Sequence, residues 1–163
     1  MTEYSTIRYE VTPDKVATIT LDRPEALNAF DRQMCEEMRH AWRRVKDDAA
    51  VNAVVLRAAG DRAFCAGLDV KKAYGQPDDV WNHEDPGELL SPKWQQVWKP
   101  VVCAIQGLCT AGAFYFVNEA DLVICSPEAT FFDFPRQRGP GLGAGAGRPD
   151  APGSAWPRPC AWP

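Results

Sequence analysis

Apolar and polar side chains alternate through Ile7–Val11 and again through Val16–Leu21, and Thr12-Pro13-Asp14-Lys15 between them has a turn composition. That arrangement predicts a β-hairpin. Arg23-Pro24 ends the second strand. From Asp31 the period lengthens: Met34, Met38, Ala41, Trp42 and Val45 recur at spacings of three and four, while Arg32, Glu36, Glu37, Arg43 and Lys46 fall on the other face. An amphipathic helix capped by Asp31 and covering a sheet is the expected result.

Val51–Leu56 is an apolar run broken only by Asn52, short and β-branched enough to read as a buried strand. A small-residue turn and a brief helix over 69–73 are expected next. Residues 76–90 mix Pro77, Asp78, Asp79, Glu84, Asp85, Pro86 and Gly87 and read as an exposed loop. Ser91–Trp98 is predicted as a helix ended by Lys99-Pro100. Val101–Ile105 is a second buried strand, a helix is expected over 110–118, and Leu122–Cys125 and Thr130–Phe132 read as further strands. Strands alternating with helices predict a layered α/β domain with parallel pairing.

The pattern ends after Asp133. Residues 136–163 are dominated by Gly, Pro, Ala and Arg, with Leu142, Trp156, Cys160 and Trp162 as the apolar bulk. Such a segment buries too little surface to offset its ordering entropy, so disorder is expected. Its composition fits a reading-frame shift in a GC-rich coding sequence, with a functional flexible tail as the alternative.

Composition narrows the function. The chain has 163 residues, 45% hydrophobic and 25% charged, which is the size and make-up of one globular domain. A net charge of -4 and no basic stripe argue against nucleic acid as the main partner. No apolar run reaches the roughly 18 residues of a membrane span, so no membrane partner and a cytoplasmic location are expected. The six cysteines, Cys35, Cys65, Cys103, Cys109, Cys125 and Cys160, mostly sit in apolar runs without a CxxC pair, and His40 and His83 are the only histidines. Buried reduced thiols and no metal site are the expectation.

Two stretches carry candidate chemistry. Ala63-Phe-Cys-Ala-Gly-Leu-Asp-Val70 and Gly107-Leu-Cys-Thr-Ala-Gly-Ala113 each follow an apolar strand-like run. Small-residue turns at such places leave backbone N–H groups unpaired, and a pair of them can stabilise a developing oxyanion without any side chain.

Leu21-Asp-Arg-Pro-Glu-Ala-Leu-Asn-Ala29, Ala63-Phe-Cys-Ala-Gly-Leu-Asp69, Pro100-Val-Val-Cys-Ala-Ile-Gln-Gly107 and Ala-Gly-Ala113 with Ala120-Asp121 downstream stand in that order. In this the chain resembles the enoyl-CoA hydratase/isomerase, or crotonase, family over residues 4–133. The resemblance implies an α/β crotonase-like (ClpP/crotonase) core of repeated ββα units. That core would occupy residues 1–135 and lack the C-terminal helical region, with 136–163 as an unrelated tail. It also implies an acyl-CoA thioester substrate, coenzyme A being part of the substrate rather than a separate cofactor. A family-like homo-trimer or hexamer is expected only as far as its interface helices are present. Apolar surface those helices would cover is expected to be exposed.

Carried over position by position, the resemblance makes the Leu68 and Gly112 amides the two oxyanion donors. It places substrate contacts at Ala26 and Leu27, and in the segment containing Ala66, Asp69, Val70 and Lys71, with Lys71 and Lys72 as charges for the coenzyme phosphates or simply a solvated surface. The family hydratases use two glutamates; here the first position is Tyr115 and the second falls near Pro135. Tyr115 is expected in the substrate pocket, filling it or donating a hydrogen bond, but a tyrosine with a pKa of about 10 is a poor base at neutral pH. Asp133 is therefore the preferred replacement acid/base, ahead of Glu119, which lies about 6 Å further along the helix axis. Three readings stay open: an enzyme on acyl-CoA thioesters, a non-catalytic acyl-CoA-binding protein, and a non-functional fragment.

Overall fold

The computed structural model describes residues 4–72 and 85–132. The expected tail, Cys160, Ala73, Asp133 and most of the 76–90 loop lie outside the described residues. The strands are β1 (Ile7–Val11), β2 (Val16–Leu21), β3 (Ala53–Ala58), β4 (Ala63–Cys65), β5 (Val101–Ile105), β6 (Leu108–Thr110), β7 (Leu122–Cys125) and β8 (Thr130–Phe132). The helices are α1 (Arg32–Asp47), α2 (Pro86–Leu90) and α3 (Phe114–Val117).

β1 and β2 form the expected antiparallel hairpin, with Ile7 opposite Leu21 and Val11 opposite Ala17. β2, β3, β5 and β7 then continue the sheet in parallel, in the order β1-β2-β3-β5-β7. A second, parallel sheet runs β4-β6-β8. From β3 onward each long strand of the first sheet is followed in the chain by a short strand of the second: β3 by β4, β5 by β6, β7 by β8. The small-residue turns fall after β4 and after β6, where the chain leaves the second sheet.

α1 is built as its period demands. The Asp31 carboxylate accepts from the Met34 amide at 3.0 Å, and Met34, Cys35, Met38, Ala41, Trp42 and Val45 are buried. Trp42 also donates its ring N–H to the Leu90 carbonyl at 2.8 Å, which ties α1 to α2. One residue assigned to the solvent face belongs inside. Glu37 is 7% exposed, because its carboxylate accepts from the amides and hydroxyls of both Ser5 and Thr6. Those bonds replace water around the charge.

Several boundaries differ from expectation. The strand expected at 51–56 runs Ala53–Ala58, in register with β2. The helix expected over 91–98 is absent, and the helix lies earlier, at Pro86–Leu90, inside the predicted loop. Asp85 caps it by accepting from the Gly87 amide, and Pro86 opens it. Pro92 follows at once, and Gln96 takes a left-handed φ of 59° that no helix continues through. The brief helix after Asp69 is a turn closed by the Asp69 carboxylate and carbonyl, which accept from the Lys71 and Lys72 amides. Residues 108–110 form a strand, so the following helix starts later, as a 3-10 turn over Ala111–Ala113 leading into α3.

Cys35, Cys65, Cys103 and Cys109 are buried free thiols as expected. No helix among the described residues is long and apolar enough to cross a membrane.

Candidate active site

Both small-residue turns leave the second sheet, one after β4 and one after β6, and β4 and β6 are paired neighbours. Their turns are in contact. Gly67 has a φ of 85°, and a Cβ placed on it would lie 2.9 Å from the Gly112 amide nitrogen and 3.0 Å from the Ala111 Cβ. A Cβ on Gly112 would lie 2.6 Å from Cζ of Phe30 and 3.6 Å from the Gly67 Cα. Both positions require glycine, Gly67 by conformation and approach, Gly112 by approach alone.

The turn around Leu68 is held on every side. The Gly67 amide donates to the Cys65 sulfur at 3.3 Å. The Phe30 amide donates to the Gly67 carbonyl, and the Asp69 amide donates to the Phe30 carbonyl, both at 2.9 Å. These bonds make a parallel bridge between Phe30 and Leu68. The Leu68 amide lies between them and donates to no acceptor among the described residues. The Gly112 amide is likewise undonated, because the first turn of a helix has no carbonyl behind it. Ala111, immediately before it, is held at a φ of 51°, a left-handed conformation worth about 1–2 kcal/mol of strain.

The segments expected to meet coenzyme A are also brought together. The Ala66 amide donates to the Leu27 carbonyl at 3.1 Å. Leu27 and Asn28 are both left-handed, with φ of 53°, and this reversal is fixed by buried Asn28. Its side chain accepts from the Arg23 amide and donates to the Ala59 and Ala63 carbonyls. Asp69 directs its carboxylate inward to Arg23 at 2.8 Å, and that bond holds it well below the usual carboxylate range. Val70 and Lys71 are exposed, and Lys71 forms no ion pair among the described residues, whereas Lys72 lies 3.5 Å from Asp31.

Tyr115 packs its ring edge-on to Phe30 with centroids 6.4 Å apart. Burial, with the Asp85 carboxylate adding to it, pushes its hydroxyl up to about 12. It stays protonated at neutral pH and is no base there. Glu119 is engaged elsewhere, accepting from the Ser91 hydroxyl at 3.1 Å. Asp133 lies outside the described residues. No cluster of metal-ligating side chains occurs among the described residues.

Sequence reasoning did not single out Phe30 or Arg23. Phe30 looks like one more core aromatic in the sequence. Its double contact, with residues 67 and 69 through the backbone and Gly112 through the ring, joins positions far apart in the chain. The only available signal for Arg23 was an arginine beside a proline, which reads as a strand end.

The family model described as enoyl-CoA hydratase/isomerase matches residues 12–146. The chain is 33% identical over 117 residues to (E)-benzylidenesuccinyl-CoA hydratase of Thauera aromatica, covering 71% of this chain and 45% of that protein. It is 36% identical over 121 residues to carnitinyl-CoA dehydratase of Proteus mirabilis, covering 74% and 46%. Among solved structures, an enoyl-CoA hydratase/isomerase from Mycobacterium paratuberculosis superposes with a TM-score of 0.67 at 39% identity, over 80% of this chain and 49% of that one. One from Xanthobacter autotrophicus Py2 gives 0.66 at 36% identity, over 80% and 49%. The chain thus spans about half the length of the relatives it matches.

Proposed function

The chain belongs to the enoyl-CoA hydratase/isomerase family, and we propose that it binds acyl-CoA thioesters and polarises their carbonyl between the Leu68 and Gly112 amides. The observation that carries this reading is the contact between the two turns: the Gly112 nitrogen sits where a Gly67 side chain would be. Two undonated amides on touching turns suit one oxygen, and negative charge developing on it is what they would stabilise.

The chemistry proposed is hydration or isomerisation of an enoyl thioester in fatty-acid metabolism. In hydration, water oxygen adds to the β-carbon, electron density moves onto the thioester oxygen, and the α-carbon takes up a proton. Asp133 is the proposed group that carries protons, since the Tyr115 hydroxyl, pushed up to about 12, stays protonated at neutral pH. Ala26, Leu27, Ala66, Asp69 and Val70 are proposed as backbone neighbours of the coenzyme, with Lys71 as a charge for its phosphates. Coenzyme A enters as part of the substrate, and a cytoplasmic setting is proposed.

A second reading is an acyl-CoA-binding protein without turnover, favoured by Tyr115 at a position where the family hydratases carry glutamate. Crotonyl-CoA hydration, followed at the absorbance of the conjugated thioester, separates the two. Turnover that disappears in Asp133→Asn supports the enzyme, and turnover unchanged in that variant removes Asp133 from the mechanism. Saturable binding without turnover selects the binding protein.

A further inference from the structure

We propose that Phe30 is a positioning residue that sets the spacing and aim of the two amides, a role that rests on the acyl-CoA reading of the Leu68–Gly112 pair. Phe30 touches both turns by different means. Its amide and carbonyl bracket Leu68, bonding to the Gly67 carbonyl and the Asp69 amide, each at 2.9 Å. Its ring edge lies directly under Gly112, with Cζ and Cε1 2.6 and 2.7 Å from where a Cβ there would be. One residue thus touches both turns, beside the direct contact of Gly67 with Gly112.

The bridge is stiff. Phe30 is 1% exposed, and its ring is wedged edge-to-face against Phe116 at 6.5 Å and Tyr115 at 6.4 Å. Its chain neighbours are anchored by one guanidinium, since Arg23 donates to the Ala29 carbonyl and pairs with Asp31 and Asp69. Neither the ring nor the backbone of Phe30 can shift without moving a neighbour. A donor moved by about 1 Å relative to the oxygen it serves loses much of its effect. A shorter apolar side chain at position 30 keeps both backbone bonds to the Leu68 turn but removes the support under Gly112. The Gly112 amide then drifts while the Leu68 amide stays.

The test reads carbonyl recognition separately from folding and from coenzyme binding. Two probes are used: cinnamoyl-CoA, a conjugated thioester whose absorbance shifts to the red when its carbonyl oxygen accepts hydrogen bonds, and the S-cinnamyl thioether of coenzyme A, which lacks that oxygen. The wild-type chain is expected to show the red shift and to prefer the thioester. In Phe30→Leu the red shift should fall by half or more, and the thioester preference by about tenfold, with thioether affinity little changed and the unfolding midpoint lowered by the cavity left in the core. Phe30→Met, closer in length, should be intermediate, and it supplies the readout if the leucine variant does not fold. A full red shift in either folded variant overturns the role. So does an equal loss of thioester and thioether affinity, which marks a general packing effect. If the wild type itself shows neither shift nor preference, the acyl-CoA reading fails first and the proposal falls with it.

Discussion

The Arg23 guanidinium, itself buried, lies 2.8 Å from the part-buried Asp69 carboxylate. The same guanidinium reaches Asp31 at 3.3 Å, and Asp31 is also the cap of α1. One cation therefore joins the end of β2, the start of α1 and the turn after β4. Its charge is balanced by two carboxylates inside the fold, and the alternative to that balance is uncompensated buried charge.

Replacing Arg23 with Met should destabilise the chain by about 3–5 kcal/mol, read as a lower urea midpoint. Arg23→Lys keeps the charge but not the planar fork, and should fall between. Removing the exposed Arg8–Asp22 pair, by contrast, should change stability by less than about 1 kcal/mol.

Gly67→Ala and Gly112→Ala should both abolish the preference for a thioester over a thioether. Gly67→Ala adds left-handed strain of about 1–2 kcal/mol and drives a methyl against the Gly112 amide. Gly112→Ala drives one into the Phe30 ring, so its stability loss should shrink in a Phe30→Leu background. A double-mutant cycle on unfolding free energies checks that coupling.

Stability should fall with acid through Glu37. Burial alone would raise its pKa, but hydrogen bonds from Gln33, Thr6 and Ser5 outweigh burial and hold it at about 2, against 4.5 for a free glutamate. A carboxyl lowered in the folded state stabilises fully above the free value and progressively less as pH drops from about 4.5 towards 2. Glu37→Gln should be less stable at pH 7 and show a flatter stability profile across that window, as measured by urea unfolding.

The edge strand β7 should drive self-association. It pairs with β5 on one side and ends the sheet order, and Leu122 and Ile124 are 63% and 62% exposed. An apolar edge with open backbone groups invites another strand. Leu122→Lys with Ile124→Lys should lower the mass-averaged size seen by sedimentation, with little change in the unfolding midpoint.

Local pattern was enough to locate most elements. The hairpin, α1 with its buried stripe, β5, β7 and β8 follow from period and turn chemistry, which depend on near neighbours in the chain. Errors arose where a local rule met a longer-range one. Glu37 has the charge of a surface residue, yet Ser5 and Thr6 supply enough donors to bury it. Ser91–Trp98 has helical composition, but Asp85 and Pro86 start the helix earlier and the chain turns at Gln96. β4 and β6 are too short for a period to register, and they exist because each is paired in the second sheet.

What the amino-acid order decided by itself was the family, the alternation of strands and helices, and the two glycine turns, because each is written in residues adjacent in the chain. What only the folded chain decided was that those turns touch, with Phe30 between them and Arg23 securing its neighbours. Contacts between residues 30, 67 and 112 depend on strand pairing and layer packing, which bring distant segments within van der Waals reach and leave no trace in local composition.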